Sequence, residues 1–337
     1  MSLKIPGRFF PYLVLALTKT GFRIEIEDKF FYPSEINPLV RNRRLPIRTV
    51  RNIYRNAREK TLLYDHDSIK QMIGWKKQVK ISYDYYNLHL ENNSITMPYF
   101  MHPDAYYSGA FAKYDKLRKR RRSIRIFFAG TYHKEAYSAD FHFPMLNRYQ
   151  ILQKILSDFA ESIVFLNDEA SISGLLEGEK HKPIVMSIVQ NRANTLDKFL
   201  LSHEDYLRLL SLSYFFVAPP GVSIPHSHNV IEGIMVGTIP ILNYSNYGWT
   251  PPLEHGKNCI TFTDENDLKT KINEVLSLPE ERILEMQTNV LAYYKKYLKP
   301  ESFGARLRND PETKFTVYVN AEGETARLYA ERCSKAG

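Results

Sequence analysis

Three loops that follow apolar runs carry residues suited to holding an anion. The first is Gly130-Thr131, after IRIFFA, where glycine lets a ligand approach the backbone and exposed N–H groups can hold phosphate. The second is PPGVSIPHSHN, residues 219–229, which leads into an apolar segment containing Glu232. A helix opening there presents unpaired N–H groups and a partial positive charge, which suits a diphosphate. Ser227 or Asn229 is placed to cap that helix. Glu232 is expected in its first turn, either accepting ribose hydroxyls or merely complementing the helix dipole. The third loop lies within residues 237–268, where the strand-like TIPILNY ends in a polar, aromatic stretch and a glycine turn, His255-Gly256-Lys257-Asn258, follows.

Proton transfer needs a carboxylate or an imidazole near the reacting atoms. Asp65, Asp67 and His102 are the candidates in the first half, each beside a predicted loop, where a plain surface role is the simpler alternative.

The elements that position these residues alternate. Strands are expected at 124–130, 162–166, 182–188, 214–221 and 238–244, and helices at 146–159, 203–213, 228–237, 265–278 and 280–298. Such alternation implies a parallel sheet with right-handed crossovers, and ligands then bind outside the strands' carboxyl ends. The first half is less regular. Residues 6–26 read as helix, turn and strand, with Gly21 ending the helix. The basic stretch 41–60 reads as a solvated helix face or a surface for an anionic acceptor or membrane, and 92–111 reads as loop. The cationic run 116–123, KLRKRRRS, reads as a solvated linker. The expected organisation is therefore an α/β domain at 1–120, a ligand-binding Rossmann-like domain at 121–300 and an extension at 301–337.

The run YFFVAPPGVSIPHSHNVIEGIMVGTIPIL resembles the donor-site signature of GT-B glycosyltransferases, and is most similar to the exostosin-type family. The later EHGKNCITFTDENDLKTKI resembles the segment that follows in such enzymes. The resemblance covers roughly residues 124–300 and is most specific over 214–268. It implies two Rossmann-like domains facing a central cleft, with a nucleoside diphosphate sugar, UDP-sugar by preference, in the second. Glu232 would match the ribose-binding acid. Gly221, Ser227, His228 and Asn229 would line the phosphate loop, and Gly130 and Thr131 would approach the diphosphate. One departure matters: the exostosin pattern has Arg where this chain has His228, and a neutral imidazole does not replace a guanidinium. Either His228 is protonated there, or Arg148 or Arg192 supplies the charge, with Arg148 preferred because it opens the helix after the first strand. The acceptor would be a hydroxyl of a glycan or glycoconjugate. The resemblance implies transfer without a metal or other cofactor, although Asp65-His66-Asp67 mimics the Asp-x-Asp metal motif of GT-A enzymes.

The totals bound these readings. A chain of 337 residues suggests two cores, and its 44% apolar content supplies them. The balance of 46 Lys plus Arg against 37 Asp plus Glu favours anionic partners. With 23 Tyr and 19 Phe it also suits the alternative class, a nucleic-acid-binding or RNA-modifying protein, but no RNA-binding motif is present. Cys259 and Cys333 lack metal-ligand spacing and fit a reducing, cytoplasmic setting. The apolar run 9–17 is far short of the ~20 residues that span a bilayer. It reads as a buried helix, leaving peripheral contact with an anionic membrane as the remaining membrane role.

Overall fold

In the computed structural model, which describes residues 7–27, 47–50, 57–65, 74–87, 93–102, 105–106, 111–138, 141–177, 181–189 and 201–336, the apolar N-terminal run forms α1 (Phe10–Lys19). Its side chains from Phe10 to Val14, with Ala16 and Leu17, are buried. Gly21, at φ +82°, ends the helix, and the Phe22 N–H returns to the Leu17 carbonyl at 3.0 Å. No helix of the described residues is long and apolar enough to cross a membrane.

After α1 come β1 (Ile24–Glu27) and β2 (Ile47–Val50), which pair in parallel. Within the described part of 41–60, where a helix face is one expectation, residues 47–50 form a strand and Ala57–Glu59 a single 3-10 turn. Pro46 disfavours helix before it, and β-branched Ile47, Thr49 and Val50 favour extended backbone. Next are β3 (Thr61–Tyr64), β4 (Lys77–Ser82) and β5 (Ser94–Thr96). β5 lies inside the segment expected to be loop, and Ile95 and Met97 bury there.

The middle of the chain is a separate α/β layer. It holds α2 (Phe111–Leu117), β6 (Ile124–Thr131), α3 (Lys134–Ser138), α4 (Arg148–Asp158), β7 (Ile163–Phe165), α5 (Glu169–Glu177) and β8 (Lys182–Val189). It continues through α6 (His203–Ser211), β9 (Ser213–Val217), α7 (His228–Met235), β10 (Ile239–Leu242), β11 (Ile260–Thr261), α8 (Glu265–Ser277) and α9 (Glu280–Tyr293). The six strands form one parallel sheet in the order β11-β10-β9-β6-β8-β7. β9 and β10 are buried at every position, as strands covered on both faces must be. From β6 the chain goes to the edge strand β7 and returns to β8 beside β6, then crosses to β9 on the other side of β6 and builds outward through β10 and β11. The order therefore reverses between β6 and β9, the place where open α/β sheets form a ligand crevice.

The C-terminal segment is not an extension. After α10 (Pro300–Asn309), β12 (Lys314–Tyr318) inserts between β4 and β5, pairing in parallel from Lys314–Gln78 to Tyr318–Ser82, and α11 (Gly323–Ala336) follows. The two units are Met1–Gly109 with Lys295–Gly337, and Ala110–Tyr294. The break thus falls before the cationic run rather than at 120, because that run is tied into the second unit. Arg118 Nε donates to the Met235 carbonyl at 2.7 Å. Arg122, expected in solvent, is 8% exposed and donates to the carbonyls of Leu210, Ser213 and Val236 and to Thr238 Oγ1. α1 packs against α10 so closely that a Cβ on Gly304 would lie 2.1 Å from the Ala16 carbonyl oxygen.

Candidate functional site

The site grows from the β6–β9 reversal. β6 ends in Gly130-Thr131, and the loop after β9 runs through Pro219, Pro220 and Gly221 to α7. Gly221 closes that loop tightly: an added Cβ would meet the Ile224 and His226 carbonyl oxygens at 2.9 and 2.8 Å. Asn229 Nδ2 donates to the Ala129 carbonyl at 3.3 Å, drawing the start of α7 to the end of β6.

Two helices open at this edge in different ways. α4 caps itself: Asn147 accepts from the Gln150 N–H, and Gln150 accepts from the Asn147 N–H. α7 begins after Ser227, whose extended backbone occupies the cap position, but whose hydroxyl caps nothing and has no hydrogen-bond partner among the described residues. The first N–H groups of α7 therefore carry the partial charge of the helix end without a side-chain acceptor from its cap.

Arg148, the first residue of α4, is 7% exposed. Its Nε donates to the Pro220 carbonyl at 3.0 Å and its Nη1 donates to Tyr137 Oη at 2.8 Å, with the guanidinium 4.4 Å from the Tyr137 ring centroid. Tyr137 Oη is also 2.7 Å from Thr131 Oγ1. A Cβ on Gly130 would stand 3.7 Å from Arg148 Nη1, so the end of β6 lies directly against the guanidinium. Among the described residues, no carboxylate pairs with Arg148. Burial lowers its pKa, and Tyr137, Tyr244 and Tyr206 partly offset the shift. The side chain remains cationic.

Glu232 is the fifth residue of α7, not within its first turn, because the helix starts only at His228. It is 2% exposed, and His203 Nε2, at the first residue of α6, lies 3.2 Å from its Oε1. Tyr206, one turn further along α6, has its hydroxyl pKa raised well above the usual value by burial and then by Glu232, while Arg148 acts the other way. Glu232 and Arg148 thus act on one tyrosine with opposite sign. His226 is fully buried against Trp249, with ring centroids 4.8 Å apart, and burial lowers its pKa to about 3, so it is neutral.

Gly130 and Thr131 end β6, Arg148 opens α4, Gly221 lies in the loop after β9, and Ser227, His228, Asn229 and Glu232 belong to the cap and first five residues of α7. Arg192 and Asp67 lie outside the described residues. Asp65 and His102 belong to the other unit, each beyond the carboxyl end of a strand. Asp65 Oδ2 accepts from Tyr83 Oη at 2.8 Å, and the His102 carbonyl accepts from the Ala105 N–H at 2.9 Å. Among the described residues, no group of three His, Cys, Asp or Glu side chains is placed to hold a metal ion. Sequence reasoning missed His203, Tyr137, Tyr206 and Tyr244. Only Tyr244 carried a signal, its place just after an apolar run that ends at the sheet's carboxyl edge.

No family model matches the chain, and no curated protein does. Among solved structures, it is similar to HepE of Anabaena in complex with UDP, at 12% identity and a TM-score of 0.48, covering 91% of this chain and 99% of that one. It is also similar to AviGT4, a glycosyltransferase involved in avilamycin A biosynthesis, at 12% identity and a TM-score of 0.35 over 88% of each chain. An α1,3-fucosyltransferase with GDP matches at 11% identity and a TM-score of 0.36, over 87% of this chain and 99% of that one.

Proposed function

We propose that this chain is a GT-B-type glycosyltransferase whose second unit binds a nucleoside diphosphate sugar, with a UDP-sugar as first choice. The observation that carries this reading is Arg148, a buried guanidinium at the β6–β9 reversal with no carboxylate partner among the described residues. A buried charge calls for a counter-charge, and the unsealed start of α7 beside it calls for the same one. A diphosphate answers both, and Glu232 supplies the acceptor for a ribose hydroxyl. The sugar passes to a hydroxyl of a glycan or glycoconjugate. A bond forms between that oxygen and the anomeric carbon, the bond from the anomeric carbon to the phosphate oxygen breaks, and the nucleoside diphosphate leaves with the electron pair. The acceptor's proton passes to a base, for which Asp65 and His102 are the described candidates and Asp67 a third. Arg148 and the α7 N–H groups stabilise the charge on the departing phosphate, and on that basis turnover needs no metal ion and survives EDTA.

Two bases of the cationic run, Arg118 and Arg122, turn inward to backbone carbonyls, which withholds them from a nucleic acid. Calorimetric titration with UDP and GDP, beside melting curves, tests the proposal. At a ligand concentration a hundred times Kd, the stabilisation is about 2.7 kcal/mol. Absence of binding by either nucleotide at millimolar concentration would sink it.

A further inference from the structure

Tyr244 is a buried polar group that the chemistry above leaves unused. It stands two residues beyond β10 and is 1% exposed, and its hydroxyl has no hydrogen-bond partner among the described residues. The ring is fixed from several sides. The His226 ring centroid lies 5.7 Å away and that of Trp249 6.5 Å away, and Trp249 Nε1 donates to the Tyr244 carbonyl at 3.0 Å.

The neighbours of Tyr244 lead to both helix starts. Asn243 Nδ2 donates to the Leu146 carbonyl at 2.9 Å, one residue before the cap of α4. His226 precedes Ser227, where α7 opens with no side-chain cap. The phenol is thus tied through Asn243 to the start of α4 and through His226 to the start of α7, and the Arg148 charge favours its ionised form. Burial outweighs that effect and keeps the hydroxyl protonated, so it can donate. Buried hydroxyls are normally hydrogen-bonded, and an oxyanion held between Arg148 and the start of α7 would supply the acceptor that this one lacks among the described residues.

Sheet order gives this oxyanion a direction. Glu232 turns to His203, at the start of the helix that follows β8, whereas Tyr244 follows β10. β8 and β10 flank the β9–β6 pair on opposite sides. A nucleotide with its ribose at Glu232 and its diphosphate at Arg148 therefore extends its second phosphate towards β10.

We propose that Tyr244 donates its hydroxyl hydrogen to the sugar-side phosphate of the bound nucleoside diphosphate, making it the residue that tells a diphosphate from a monophosphate. This rests on the donor-site reading. The test is Tyr244→Phe, with calorimetric Kd values for UDP against UMP and for GDP against GMP, beside melting curves of the unliganded proteins. The ring and its packing are kept, and no hydrogen bond within the described residues is lost, so the unliganded melting temperature is expected to stay level or rise. Diphosphate affinity is expected to fall about tenfold, while monophosphate affinity holds. A folded variant that binds UDP or GDP as well as the wild type overturns this assignment alone. Equal losses for diphosphate and monophosphate, with a lowered melting temperature, also overturn it and make the hydroxyl structural. Wild-type protein that binds none of the four nucleotides overturns the donor-site reading and this assignment with it.

Discussion

Arg148 Nε donates to the Pro220 carbonyl at 3.0 Å across 72 residues of sequence, joining the start of α4 to the loop after β9. Arg122 is buried in the same unit, and the two make an informative pair. Arg122 is held by carbonyls near the C-termini of α6 and α7, those of Leu210 and Val236, by the Ser213 carbonyl and by Thr238 Oγ1. Helix C-termini are where a cation is stabilised. Burial still lowers the Arg122 pKa, to about 10. Arg148 lies at the opposite edge, next to a helix N-terminus, where a cation alone is disfavoured and a cation with an anion is not.

The two arginines are expected to fail differently. Arg122→Met strips charged donors from several buried carbonyls, so stability should fall by about 3 kcal/mol or more while UDP affinity is unchanged. Arg148→Met should weaken UDP binding roughly tenfold to a hundredfold with a small change in melting temperature. Melting curves and calorimetry on both variants check this, and a reversed pattern would exchange their roles.

Glu232→Ala should weaken UDP roughly tenfold to a hundredfold while leaving inorganic pyrophosphate, which has no ribose, bound as before. Equal losses for both ligands would show that the carboxylate acts on the phosphates or on the fold through His203. Competition titrations with the two ligands separate these outcomes.

Two glycines are placed for close packing. At Gly233 an added Cβ would fall 2.3 Å from Cε1 of the Phe216 ring, and at Gly304 it would fall 2.1 Å from the Ala16 carbonyl oxygen. Gly304→Ala should be the more damaging, because backbone must move rather than a ring. Overpacking of this kind costs about 1–3 kcal/mol, and more where the backbone is involved. Denaturant titration of each variant measures the difference.

His226 makes stability depend on pH. Its pKa is lowered to about 3 in the fold, from an ordinary value of 6.5, by burial. The unfolded chain therefore binds more protons between those values. The contribution is fully present above pH 6.5 and is lost as pH falls towards 3. The slope approaches about 1.4 kcal/mol per pH unit, the limit for one proton. Unfolding curves from about pH 7 to about pH 4 should show this slope, and His226→Phe should flatten it.

The local grammar of the second unit is legible in its sequence. Its strands are short apolar runs and its helices carry apolar positions at helical spacing, so IRIFFAG, YFFVAPPG and HNVIEGIMVG mark β6, β9 and α7 to within a few residues. The glycine at the end of β6, the Pro-Pro-Gly turn and Arg148 at a helix start are legible for the same reason, since each follows from residues close in the chain. The tertiary structure decided what depends on residues far apart. It set KFTVY between β4 and β5, because a strand's neighbours are chosen by burial and register, not by adjacency in sequence. It turned Arg122 from a solvated linker into a buried clamp, because the groups that hold it come from the ends of α6 and α7 and the starts of two strands. It put Glu232 against His203 and left the Tyr244 hydroxyl buried with no hydrogen-bond partner among the described residues. Desolvation and counter-charge are properties of a filled volume, and only the folded chain defines that volume.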